Sequence, residues 1–173
     1  MEKGYIQVYT GDGKGKTTAA MGQALRAAGA GLKVYIGQYV KTMKYSEVKL
    51  IEERIPEIEV EQLGFAGCII NRAPNADEIK AARDGLARAK EKMISGAYDM
   101  IVLDEITIAH HFKMIDTKDL LDFMKAKPDN VELIITGRYA PKEVIEKADL
   151  VTNMDEIKHY YLAGVQARDG IER

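Results

Sequence analysis

The chain has 173 residues, 46% of them hydrophobic and 30% charged, with 25 basic against 27 acidic side chains, one cysteine and no tryptophan. At roughly 100–200 residues per domain, this length predicts one domain, residues 1–173, and the high apolar fraction excludes a disordered chain. A lone cysteine excludes an internal disulfide scaffold and points to a reducing compartment, and a net charge of −2 gives no overall basic field for generic nucleic-acid binding.

The N-terminus, Met1-Glu2-Lys3-Gly4-Tyr5-Ile6, lacks the basic start and the apolar core of about 7–15 residues that a secretory signal needs. No window approaches the ~18 apolar residues of a membrane span. The expected location is cytoplasmic, with no membrane partner.

Short apolar or β-branched runs predict strands over 5–10, 33–40, 57–63, 100–103, 131–136 and 150–153. Helices are predicted between several of them. Residues 16–28 are alanine-rich and stop at Gly29. Residues 76–95 place Ile79, Leu86 and Met93 at heptad spacing on one face. Residues 116–127 carry Leu120, Leu121 and Met124 at helical spacing and end before Pro128, and residues 141–147 open with Pro141 in the first turn. This alternation predicts an α/β fold with a mainly parallel sheet covered on both faces. The runs at 100–103 and 131–135 lack polar alternation, so they read as central strands. Ligands on such sheets bind where the strands end, so the residues following each strand carry the chemistry.

The first strand runs into Thr10-Gly11-Asp12-Gly13-Lys14-Gly15-Lys16-Thr17-Thr18. Gly15-Lys16-Thr17 fits the end of the phosphate-loop pattern G-x-x-x-x-G-K-[ST], while threonine stands at position 10 where the first glycine falls. Three glycines at alternate positions restore the freedom for backbone N–H groups to cradle an anion beside a helix N-terminus. Lys16 is expected to reach phosphates and the Thr17 hydroxyl to ligate Mg²⁺. Asp12 brings a carboxylate to this anion site, offset by Lys14 and Lys16 or turned toward a ribose hydroxyl.

The strand at 100–103 ends in Asp104-Glu105, the arrangement that supplies the metal-facing acid in phosphate-loop proteins. Neighbours on an extended strand point opposite ways, so one acid faces the metal and the other supports it. A third strand ends in Thr136-Gly137-Arg138, where Arg138 is either a phosphate contact or a surface ion pair. His110 and His111 read as ordinary helix residues and Cys68 as a small buried side chain, since no spacing supports a zinc site or a nucleophile.

Together these residues resemble the ATP:corrinoid adenosyltransferases of the CobA/CobO/BtuR type. The resemblance runs through residues 10–20, then Ala24-Leu25-Arg26-Ala27 with Gly29, Gln38-Tyr39 with Lys41, and Gly64-Phe65. It continues through Arg72 with Ala76-Asp77, Val102-Leu103-Asp104-Glu105, Ile135-Thr136-Gly137-Arg138 and Ala148-Asp149. It ends in Lys158-His159, Ala163-Gly164 and Gly170-Ile171-Glu172. It implies a RecA-like phosphate-loop sandwich, a homodimer, and transfer of the adenosyl group of ATP to the Co(I) of a reduced corrinoid with release of triphosphate, in adenosylcobalamin synthesis or salvage. A flavoprotein-type reductant is the implied partner. Carried over, residues Gly11, Asp12, Gly13, Lys14, Gly15, Lys16, Thr17 and Thr18 bind ATP, with Arg26, Gln38 and Arg138 near the nucleotide. Thr17 and Glu105 hold Mg²⁺ or Mn²⁺ with Asp104 beside them, so that Lys16, Thr17 and Glu105 are the expected catalytic residues.

The chain departs from the family in the segment meant for the corrinoid. Many members follow Gly-Phe with Thr-Trp, an aromatic pair against the lower corrin face. Here Phe65 is kept, but Gly67 stands at the tryptophan position. A RecA-like ATPase or small kinase, and a nucleotide-binding module without corrinoid chemistry, are the alternatives that share the same phosphate loop.

Overall fold

The apolar runs form one six-stranded sheet in the computed structural model, which describes residues 1–41, 43–63 and 72–173. The strands are β1 (Ile6–Thr10), β2 (Val34–Gln38), β3 (Ile58–Gln62), β4 (Met100–Asp104), β5 (Glu132–Thr136) and β6 (Leu150–Asn153). Their order is β3-β2-β4-β5-β1-β6 and every pairing is parallel. The helices are α1 (Lys16–Gly29), α2 (Ser46–Arg54), α3 (Ala76–Ile94), α4 (Ile106–His111), α5 (Thr117–Lys125) and α6 (Lys142–Lys147), followed by a 3-10 turn at Tyr160–Ala163.

Successive strand side chains point to opposite faces, and both faces are covered. Val34, Ile36, Met100, Val102 and Ile134 pack with α1 and α2. Tyr35, Ile101, Leu103, Leu133 and Ile135 pack with α3, α4, α5 and α6. This is the three-layer α/β sandwich expected of a phosphate-loop protein. The heptad face of α3 is confirmed, with Leu86 and Met93 buried and Ile79 packed against the same core. Helix α2 is an addition to the predicted elements. It is short and charge-rich and buries only Val48 and Ile51, too few apolar positions to set a period. Gly29 is the last residue of α1 rather than its stop, and the cap falls on Ala30.

Two features of the frame position the site. Parallel pairing brings Gln38 level with Asp104, and Tyr9 level with Thr136, so the ends of β2, β4, β5 and β1 open on one edge. Helix α1 lies on the sheet through Ala20, Ala24 and Ala27, all buried, and these small side chains let its backbone come close. Among the described residues, no helix is long and apolar enough to cross a membrane.

Because α1 is seated through alanines, Ala24→Leu should force it off the sheet. Overpacking of this kind costs about 1–3 kcal/mol, read as a lower urea midpoint with an unchanged slope. A midpoint equal to that of the parent chain would show that α1 is not seated closely at Ala24.

Candidate functional site

The loop between β1 and α1 is shaped by glycine and by a neighbouring strand. Gly11 has φ +99°, a region that favours glycine, and a Cβ there would run into the backbone of Met154 just past β6. The Gly13 N–H donates to the Met154 carbonyl at 2.7 Å, which fixes the loop against that strand end. Helix α3 begins with a reciprocal capping box between Asn75 and Glu78, whereas α1 begins at Gly15 with no side-chain cap and no acid in its first turn. Its first N–H groups therefore lack intrahelical acceptors and face an edge suited to an anion. The Lys16 ammonium donates to the carbonyls of Gly11 at 2.7 Å and Gly13 at 2.6 Å. Burial, and then the nearby Arg138 charge, hold Lys16 below the ordinary lysine range.

Asp104 sits at the centre of the open edge with no exposure to solvent. Its Oδ1 accepts from the hydroxyls of Thr17 at 2.8 Å and Thr136 at 2.7 Å. Its Oδ2 accepts from Gln38 Nε2 at 3.1 Å and Lys41 Nζ at 2.9 Å. A carboxylate offers about four lone-pair sites, and these four donors fill them. The structure thus separates the two acids that the sequence left paired: Asp104 stands behind Thr17 as its support.

Glu105 takes the left-handed conformation, φ 60° and ψ 22°, uncommon for a residue with a side chain. The bend turns the chain sharply from β4 into α4 and is held by the Glu105 N–H, which donates to Thr136 Oγ1 at 2.9 Å. Burial, and the Asp104 charge, push the Glu105 carboxyl above the usual range, while Lys41, Lys16 and Arg138 pull the other way. Among the described residues its side chain has no hydrogen-bond partner. The donor set at this corner is therefore the Thr17 hydroxyl and one free carboxylate. No three His, Cys, Asp or Glu side chains converge as a metal site among the described residues. That set fits a hard cation such as Mg²⁺, which keeps waters and takes one or two carboxylates together with substrate phosphates.

The remaining predicted residues fall into three groups. Arg138, 47% exposed, lies beside the loop with its Nε 4.0 Å from Asp12, a loose surface pair that leaves the guanidinium at the mouth of the site. Gly137 before it has φ +136°, and a Cβ there would collide with the Thr107 hydroxyl, which donates to the Arg138 carbonyl at 2.6 Å. Lys14 donates to the Ile171 carbonyl at 3.0 Å, tying the loop to the C-terminal segment, and Thr18 is exposed on the first turn of α1. Gln38 is buried and reaches Asp104, so it orients the acid. Arg26 is not brought to the loop. It is ten residues beyond Lys16, ~15 Å along α1 at 1.5 Å per residue, and pairs with Gln23 at 3.3 Å. Phe65, Gly67 and Cys68 lie outside the described residues.

His110 and His111 both belong to α4, as expected. His110 Nε2 is 2.9 Å from the Thr117 hydroxyl, and His111 stacks on Tyr139 at 4.2 Å. Two polar partners of Asp104, Lys41 and Thr136, were not singled out as site residues from sequence. Their signal is position: each stands at or just past the end of a strand that opens on the loop. A cavity of about 190 Å³ lies between the loop and the C-terminal segment, lined by Gly13, Lys14, Asp155, Glu156, Lys158 and His159 among others.

The family model described as "ATP:corrinoid adenosyltransferase BtuR/CobO/CobP" matches residues 2–173. A corrinoid adenosyltransferase of Escherichia coli (strain K12) is 36% identical over 172 residues, 99% of this chain and 86% of that protein. A corrinoid adenosyltransferase of Sinorhizobium sp is 36% identical over 99% of this chain and 81% of its own length. Corrinoid adenosyltransferase CobA of Salmonella typhimurium (strain LT2) is 35% identical over 99% of this chain and 86% of its own length.

Thr136 both donates to Asp104 and accepts from the Glu105 N–H. Thr136→Val keeps the shape but takes one of two donors from Asp104 Oδ1 and leaves the Glu105 N–H without its partner, so it should cost about 1–3 kcal/mol in urea unfolding. An unchanged midpoint would mean that Asp104 is satisfied without it.

Proposed function

The chain belongs to the ATP:corrinoid adenosyltransferase family, and we propose that it transfers the 5′-deoxyadenosyl group of ATP to the Co(I) centre of a reduced corrinoid, releasing inorganic triphosphate. The observation that carries this reading is the Thr17–Asp104 hydrogen bond, which fixes the metal-facing hydroxyl of the phosphate loop to the acidic strand end.

In this reaction the electron pair of Co(I) forms the bond to C5′, the C5′–O bond breaks, and its electron pair leaves on triphosphate. The nucleophile carries no proton, so the protein need supply no general base to activate it. Its work is to align the reactants and to stabilise the departing polyanion. The N–H groups of Gly13 to Thr17 and the Lys16 ammonium suit the polyanion. Lys16 would exchange its contacts with the Gly11 and Gly13 carbonyls for phosphate oxygens, and Arg138 at the mouth adds a further donor. Thr17 and Glu105 would hold Mg²⁺ or Mn²⁺, oriented by Asp104. The ion would neutralise charge on the leaving triphosphate.

The corrinoid face is assigned to the segment around Phe65. Ile157 at 96% and Leu162 at 80% exposure leave an apolar surface beyond β6, which supports a homodimer. A flavoprotein-type reductant would deliver the electron that makes Co(I), and the cytoplasm is the proposed location.

Incubation with ATP, Mg²⁺ and chemically reduced cobalamin is expected to yield light-sensitive adenosylcobalamin and triphosphate. ADP and orthophosphate without an alkylated corrinoid would overturn the reading in favour of a RecA-like ATPase or kinase. ATP binding without turnover would favour a nucleotide-binding module. Lys16→Ala should lower the adenosylation rate by about 100-fold or more, equivalent to ~2.7 kcal/mol of transition-state stabilisation, with thermal unfolding little changed. Near-normal turnover in that variant would remove Lys16 from its role.

A further inference from the structure

The cation that neutralises Asp104 is not the loop lysine. Lys16 is turned onto the Gly11 and Gly13 carbonyls, and the ion pair to Asp104 is made by Lys41, three residues past the end of β2. The Lys41 side chain is only 11% exposed. Its Nζ lies 2.9 Å from Asp104 Oδ2 and 3.2 Å from Thr17 Oγ1, and 5.4 Å from the centre of the Tyr45 ring. The Lys41 ammonium therefore sits against the Thr17 hydroxyl and the acid that orients it, where an ion held by Thr17 and Glu105 would bring a second cation. Two cations cannot share that corner without strong repulsion.

We propose that Lys41 is a tethered stand-in for the divalent ion: its ammonium compensates buried Asp104 and blocks metal at Thr17 until metal and triphosphate arrive together and displace it. The inference rests on the metal reading given above, and it adds an order of binding to that reading. Metal alone meets a site already carrying a cation. Metal with a polyanion brings enough negative charge both to displace Lys41 and to receive it.

Uptake of Mn²⁺, followed by the paramagnetic resonance of the free ion, tests this with and without ATP. The parent chain should bind Mn²⁺ weakly alone and well with ATP. Lys41→Met should bind Mn²⁺ alone at least tenfold more tightly than the parent chain, and added Mn²⁺ should raise its urea midpoint. Glu105→Gln should weaken uptake in both backgrounds. Equal or weaker nucleotide-free binding by Lys41→Met, beside normal uptake of Mn²⁺ with ATP by the parent chain, overturns the Lys41 inference alone. No uptake by the parent chain even with ATP, or uptake indifferent to Glu105→Gln, overturns the metal reading and the inference with it. Should Lys41→Met fail to fold, Lys41→Gln keeps a donor to Asp104 without the charge. It is judged by the same tenfold criterion.

Discussion

A carboxylate with no contact with water has to be met wholly by the protein, and Asp104 is such a group. Its four donors come from four separate places in the chain: the first turn of α1, the end of β2, the segment after β2, and the end of β5. Satisfying it therefore fixes the relative positions of the phosphate loop and three strand ends at once. Losing any one donor leaves a buried charge partly unmet. The cost is much larger than that of a surface ion pair such as Arg138–Asp12.

The sheet makes this meeting possible. β5 separates the loop strand from the acidic strand, so Thr136 at the end of β5 stands beside the end of β4, donating to Asp104 and accepting from the Glu105 N–H, while Thr17 reaches the same Asp104 oxygen from the loop. Had β1 and β4 been neighbours, no hydroxyl from a third strand could stand between them. The left-handed turn at Glu105 is a sparsely populated conformation for a glutamate, and such turns persist where surroundings over-determine them. Here the Thr136 hydroxyl and the start of α4 do so. The result is a division of labour between adjacent acids, one saturated and the other without a side-chain hydrogen bond among the described residues.

Much of this was legible in sequence for physical reasons. Strands buried on both faces read as unbroken apolar runs, so β4 and β5 were visible. The Gly-Lys-Thr joint fixed the loop and the start of α1 to the residue. The acids Asp104 and Glu105 were visible as a pair but not as individuals, because alternation along a strand does not tell which side faces the loop. Helix α2 was invisible, since two buried residues set no period. Arg26 was placed near the nucleotide by motif rather than by geometry, and a straight helix sets it about 15 Å along α1 from Lys16. Lys41 stood in the resemblance with Gln38-Tyr39 but had no role there. Only the folded register of β2 against β4 brings it to Asp104.

The near-neutral overall charge takes on a specific meaning in this arrangement. Lys16, Lys41 and Arg138 converge on one strand edge with Asp12, Asp104 and Glu105, so a strongly polar site adds nothing to the net charge of the chain. Such a balance suits a ligand that arrives as a polyanion carrying its own divalent cation. In the proposed reading the incoming pair would exchange partners with groups already present. A site with the cations alone would attract any phosphate, and a site with the acids alone would attract any divalent ion. In the proposed reading the Lys41–Asp104 contact would favour the ligand that brings both charges together, a selectivity built from competition within the site rather than from a field around the protein.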